Sequence, residues 1–392
     1  MPVPTTAEAP LAPPPPLRVI AREWTRIGVL GFGGPPVHIV MLRDLVVRRE
    51  RWIDATRFED AVAATGLIPG PASTQLAIFC AGALGGWRGA LLGAAGFILP
   101  GLVAAVALAS VLLVAGAPLW LLALGAGAGA AVPAVAIFAG VQLLPDSLKR
   151  AGAGAGRVRW GLWVAAGAGG AAVAGPWVVL VLLGCGGVEL AWWAWRKRAA
   201  PANVGRDRLS SVAPGAAWLV LGATGLLGGS TLAAVAWTAF KVGALSYGGG
   251  FVIIPMMQAD AVDVYGWLTQ AQFLTAVAIG QITPGPVTNT VAAVGWAAAG
   301  APGALIAGLF AFGPSVIGII VAGRHFELIR RSAGAQAFLK GSGPAAVGAI
   351  LGSAIPLAMG LSELWQWGLL ALALPALLSR RVPLLAVLLA AA

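Results

Sequence analysis

The sequence predicts an all-α polytopic membrane protein made of two homologous halves in an inverted-topology repeat, with helices broken by Gly and Pro. Three observations predict it: long uncharged runs, a 215-residue internal repeat, and Gly/Pro clusters inside apolar segments. Of 392 residues, 59% are hydrophobic and 10% charged, against roughly a quarter charged in a soluble domain. Uncharged stretches cover 61–87, 89–145, 160–188, 214–240, 264–323 and 341–362, and about 20 apolar residues cross a bilayer. The runs are continuous in Ala, Leu, Val and Gly, without the alternation of a barrel strand, so the spans are helical.

The net charge of +11 raises nucleic-acid binding as an option. The basic residues, however, lie in short loops between apolar runs, where the positive-inside rule puts them. The partner implied is a lipid bilayer and not nucleic acid. Cys80 and Cys185 sit in apolar segments without metal-ligand spacing and read as small buried hydrophobes, so no metal or cofactor is expected. The Pro-rich start (Pro10, Pro13 to Pro16) lacks a signal-peptide pattern and reads as a disordered cytoplasmic tail over 1–17.

Shifting the chain by 215 residues aligns Gly28 with Gly243, Gly33-Gly34 with Gly248-Gly249, Met41 with Met256, Trp52 with Trp267 and Phe58 with Phe273. Pro69-Gly70-Pro71 falls on Pro284-Gly285-Pro286 in the same frame. An Ala/Gly-rich composition supplies some chance identity, but not Trp, Phe and Pro-Gly-Pro together. The halves are 18–195 and 214–392, joined by a basic cytoplasmic linker over 196–213. Equivalent loops differ in charge: 43–57 carries Arg43, Arg48, Arg49, Arg51 and Arg57, whereas 258–272 has no Lys or Arg and carries Asp260 and Asp263. By the positive-inside rule the two loops face opposite sides, which makes the repeat inverted, as in many secondary transporters. Placing every basic loop in the cytoplasm makes 18–42, 58–84, 231–257 and 272–298 re-entrant or broken hairpins. Spans then fall near 88–115, 118–144, 160–175, 176–195, 214–230, 302–322, 342–360 and 364–379.

Two motifs carry the chemistry. Gly31-Phe32-Gly33-Gly34-Pro35-Pro36, repeated as Ser246-Tyr247-Gly248-Gly249-Gly250, cannot continue a helix. Unwound backbone at membrane depth is tolerated only inside protein or beside a wet cavity. The second motif runs from Gly66 through Pro69-Gly70-Pro71-Ala72-Ser73-Thr74-Gln75 and recurs as Gln281-Ile282-Thr283-Pro284-Gly285-Pro286-Val287-Thr288-Asn289-Thr290. Pro followed by Ser, Thr and Asn reads as the start of a half-helix, whose free N–H groups and dipole attract an anion. Gly33, Gly34, Gly70, Ser73, Thr74, Gly248, Gly249, Thr283, Gly285, Thr288 and Asn289 are the expected donors and close-approach positions.

Arg26 aligns with Lys241, each two residues before an aligned glycine. An intramembrane cation is expensive and usually functional, so the two are candidates to neutralise a dianion. For Arg26 the competing reading is a side chain that snorkels beside Arg18 and Arg22. His38, whose partner in the repeat is Ile253, reads as a packing histidine, with a role in proton movement left open. Glu189, beside Trp192, Trp193 and Trp195, reads as the end of a span. No Ser/His/Asp, Cys/His or HExxH constellation and no Walker loop occurs, so neither an enzyme nor an ATP-driven step within the chain is expected.

The motif pairs Phe32-Gly33-Gly34 with Pro69-Gly70-Pro71, and Tyr247-Gly248-Gly249-Gly250 with Pro284-Gly285-Pro286, resemble the chromate ion transporter family in its long, two-domain form. The resemblance covers about 18–385. It implies a multi-pass protein of the bacterial inner membrane that exports chromate and confers chromate resistance, with sulfate as the chemically close competitor. Both are tetrahedral dianions, which suits uncharged donors and one or two cations. A homodimer is left open. The alternatives are a sulfate or other oxyanion transporter, a channel, and a membrane enzyme acting on a phosphorylated lipid. The enzyme would need carboxylates near the breaks, where only Glu59 and Asp60 stand and the second half has Leu274 and Thr275.

Overall fold

A computed structural model describes residues 11–65, 70–113, 118–173, 178–199, 230–246, 253–322 and 332–392. Gly248, Gly249, most of the expected linker and the expected 214–230 span lie outside the described residues. Among the described residues the secondary structure is entirely helical.

The first half runs α1 (Leu17–Leu30), α2 (Pro35–Arg43) passing into a π-helical turn (Asp44–Arg49), α3 (Ala55–Thr65), α4 (Ala72–Leu112), α5 (Leu119–Ala130), α6 (Val132–Ala151), α7 (Ala155–Val173) and α8 (Val178–Ala199). The second runs α9 (Thr231–Leu245), α10 (Ile253–Gln258) with a π-helical turn (Ala259–Val264), α11 (Gln270–Ile282), a 3-10 turn (Val287–Asn289), α12 (Thr290–Ala322), α13 (Ala333–Met359), α14 (Leu364–Leu378) and α15 (Leu384–Ala391). The π turns at 44–49 and 259–264 fall in the 215-residue register. Of the tail, residues 11–16 are described, and Ala12 N–H donates to the Arg51 carbonyl at 3.0 Å.

Among the described residues, four helical stretches are long and apolar enough to cross a bilayer: 72–112, 119–145, 287–321 and 333–359. Two of them are not straight. A 41-residue helix would extend about 60 Å, but α4 leaves helical geometry at Gly85 and at Gly86 (φ 61°, ψ −156°). Beyond that point Gly89 abuts the Ala81 carbonyl and Gly93 abuts the Ala81 side chain, so the two arms lie against each other. In α12 the same reversal falls at Ala299 and Gly300 (φ 61°, ψ −147°), with Gly295 against the Gly303 carbonyl.

Small residues set the packing, as expected where lipid gives helices no hydrophobic reason to associate. α1 packs on α4 and α9 on α12, while α4 meets α12. Gly28 approaches the Gly96 carbonyl, and its register partner Gly243 approaches the Ala311 carbonyl. A side chain at either position would meet backbone. α13 packs on α6, α7 and α8, with Gly348 against Val164 and Gly341 against Cys185.

Candidate functional site

Each Pro-Gly-Pro segment reaches the break of the other half. Gly285 N–H donates to the Gly31 carbonyl at 2.9 Å, and Gly70 N–H donates to the Ser246 carbonyl at 2.6 Å. These bonds are register equivalents of one another. Gly70 and Gly285 both carry a positive φ, +134° and +88°, which L side chains enter only with strain. A Cβ on Gly70 would also come within 2.6 Å of the Ser315 hydroxyl. At Gly33 and Gly34 the chain turns from α1 into α2, and Gly34 faces Val287 of the second half.

Pro71 and Pro286 then start α4 and the 3-10 turn, neither with a side-chain cap. The first amides of such an end have no intrahelical partner. The side chains around them are buried: Thr74 and Asn289 are fully inaccessible, and Ser73, Thr283 and Thr288 nearly so. Thr74 Oγ1, Ser246 Oγ, Thr283 Oγ1, Thr288 Oγ1, Asn289 Oδ1 and Ser315 Oγ have no hydrogen-bond partner among the described residues. The Asn289 amide nitrogen donates to the Pro284 carbonyl at 3.3 Å. Each buried unsatisfied group costs about 1–3 kcal/mol, and native interiors pair nearly all of theirs. Six of them lie on the paired motifs and on α12, which packs against Gly70. Grooves of about 260 Å³ beside Arg57, Trp87 and Ile320, and about 450 Å³ beside Ala21, Gly96 and Val103, include none of these six.

His38 is part of this assembly, which its lack of a counterpart in the repeat did not suggest. Its ring is fully buried, with Nε2 at 2.9 Å from the Gly31 carbonyl, Nδ1 at 3.2 Å from Ser73 Oγ, and its edge on the Phe97 ring. The Gly31 carbonyl thus accepts from both His38 and Gly285.

A model of the family described as "Chromate transporter" matches residues 19–190 and 233–392. The chain belongs to the chromate transporter family. The chromate transport protein of Cupriavidus metallidurans is 29% identical over 88% of this chain and 84% of its own length. That of Pseudomonas aeruginosa is 29% identical over 90% and 84%. The probable chromate transport protein of Synechococcus elongatus is 29% identical over 87% and 84%. No solved structure matches. Family membership and the apolar helices make the chain a membrane transporter.

In this chromate transporter family member each of the two candidate cations lies beside a carboxylate. Arg26 lies on the exposed face of α1 with Arg18 and Arg22, opposite the buried Ile20, Trp24 and Ile27. It is 54% exposed and sits 3.6 Å from Glu23. Lys241 on α9 pairs at 2.5 Å with Asp260, which also accepts from Thr238 at 2.9 Å. Asp260 is therefore not a loop charge: the π turn carries it inward, and only 3% of it is exposed. Glu189, expected at the end of a span, is buried and tied to Trp163 at 2.9 Å and Arg159 at 3.4 Å. Glu59 is exposed and paired with Arg43 at 2.9 Å.

Proposed function

We propose that this protein is a secondary active transporter that exports chromate across the bacterial inner membrane, with the two halves acting as an inverted repeat. The observation that carries the reading is the reciprocal pair of bonds, Gly285 to Gly31 and Gly70 to Ser246. Each draws the Pro-Gly-Pro helix start of one half onto the break of the other, among buried donors without partners. Uncharged donors at helix N-termini suit an anion that must be released again. Thr74, Thr283 and Thr288 supply hydroxyl donors, Asn289 supplies its amide nitrogen, and Ser73 contributes its hydroxyl in the polarity that His38 allows. Gly33, Gly34, Gly70 and Gly285 let the backbone approach. Lys241 contributes positive charge from within its pair with Asp260, and Arg26 contributes from the surface.

The three relatives named above are called chromate transport proteins or probable ones, and chromate is accordingly the substrate proposed here, with sulfate as the competitor. In an inside-negative cell, outward movement of an anion gains about 2.3 kcal/mol per charge per 100 mV. Uptake of labelled chromate and sulfate into inverted vesicles, with and without an imposed potential, tests the proposal. Potential-dependent accumulation of chromate is expected, and its absence overturns export.

A further inference from the structure

We infer that His38 sets the hydrogen-bond polarity of Ser73, so that the anion is bound together with one proton and chromate is favoured over sulfate. The inference rests on the chromate reading above and adds the protonation state of the bound anion.

The starting point is the Gly31 carbonyl, which can only accept. It lies 2.9 Å from His38 Nε2, so that nitrogen carries the proton of the neutral ring. Nδ1 then holds a lone pair, and the Ser73 hydroxyl at 3.2 Å donates to it. With its one proton committed to His38, Ser73 offers only lone pairs elsewhere. An acceptor at the start of α4 repels the bare oxygens of a dianion and attracts an O–H.

Protonation of His38 reverses this. Nδ1–H then donates to Ser73 Oγ, and the hydroxyl proton is free to point at an anion oxygen. A tetrahedral anion is therefore bound either with a proton on one of its own oxygens or with that proton on His38. Chromate takes up a proton near neutral pH, whereas sulfate does so only in strong acid. Chromate can use both routes and sulfate only the second.

No charged side chain is among the described contacts of His38. Its contacts are Gly31, Ser73 and the Phe97 ring. The charged residues of the elements packed against it are Arg18, Arg22, Glu23 and Arg26 on α1, Arg43 on α2, Asp44, Arg48 and Arg49 in the π turn, and Arg88 on α4. Among the described residues none of them touches the ring. The second half has no counterpart, since Ile253 stands in the histidine position and Thr288 Oγ1 has no partner among the described residues.

The test is the half-saturating concentration of labelled chromate and of sulfate between pH 6.5 and 8.5, using the full chain in proteoliposomes. Wild type, His38→Gln and Ser73→Ala are compared. Binding linked to one proton raises half-saturation for chromate in wild type by about tenfold per pH unit on the alkaline side. Glutamine can donate to Gly31 and accept from Ser73, which locks the serine as an acceptor. Whatever its absolute rate, His38→Gln therefore retains the alkaline-side pH dependence for chromate and loses at least tenfold in sulfate relative to chromate. Ser73→Ala flattens the chromate profile. A flat profile in wild type, equal loss of both anions in His38→Gln, or sulfate transport undiminished in that variant overturns the inference while leaving chromate transport standing. If wild type carries neither anion, the functional reading fails, and this inference fails with it.

Discussion

Thr74 and Thr288 each carry a buried hydroxyl that finds no partner among the described residues. Groups of this kind lower stability unless something else repays the cost. Valine has nearly the same shape and removes the penalty. Thr74→Val and Thr288→Val are therefore expected to leave the melting temperature in detergent unchanged or higher, while chromate uptake falls at least tenfold. If uptake stays intact, these hydroxyls do not touch the anion. Gly70→Ala is expected to be the harsher of two glycine substitutions, because φ of +134° and the Ser315 contact act together. Gly285→Ala, with its nearest neighbour the Asn289 amide at 3.3 Å, is expected to keep measurable transport in the same vesicle assay. The residue types were legible in the sequence, since Ser, Thr and Asn after Pro-Gly-Pro announce a donor-rich helix start. His38 was not, because its meaning depends on Gly31 and Ser73, which only folding brings to its two nitrogens.

At the scale of elements, the Lys241–Asp260 pair ties α9 to the π turn at 259–264. Breaking a buried pair from one side costs about 3–5 kcal/mol, whereas replacing both partners by apolar groups is often neutral. Lys241→Ala is thus expected to destabilise strongly, and Lys241→Met with Asp260→Leu to recover most of the loss, as read by thermal unfolding. A double variant that folds but does not transport assigns Lys241 to the anion, and one that transports assigns it to the architecture. Arg26→Ala removes a half-exposed side chain and is expected to change transport less than threefold. Sequence position placed both cations near the breaks. It did not place the carboxylate of Lys241, because a π turn carries Asp260 inward. The hairpin limits read from the sequence, 84 and 298, fall beside the reversals at Gly85–Gly86 and Ala299–Gly300.

Across the whole molecule, the proposed inversion makes a direct topological prediction. Arg49 and Asp263 are exposed residues in or beside the two π turns, and the native cysteines Cys80 and Cys185 are buried. Single Arg49→Cys and Asp263→Cys variants are expected to react with a membrane-impermeant thiol reagent from opposite sides, Arg49→Cys from the cytoplasm. Labelling of both from one side would make the repeat parallel.

The sequence by itself determined that the chain is helical, that it lies in a membrane, that its motifs come in pairs 215 residues apart, and which family it resembles. Composition, periodicity and repetition are properties of the chain read in order, and they need no knowledge of approach in space. Tertiary structure decided how the breaks are used: Gly285 on Gly31, Gly70 on Ser246, His38 on Ser73, and the cations on carboxylates. These are hydrogen bonds and ion pairs a few ångströms long, between residues that, apart from the near neighbours Arg26 and Glu23, lie far apart in the chain. They are fixed by how closely glycine lets backbones approach, so the paired breaks become one buried polar cluster only in the folded molecule.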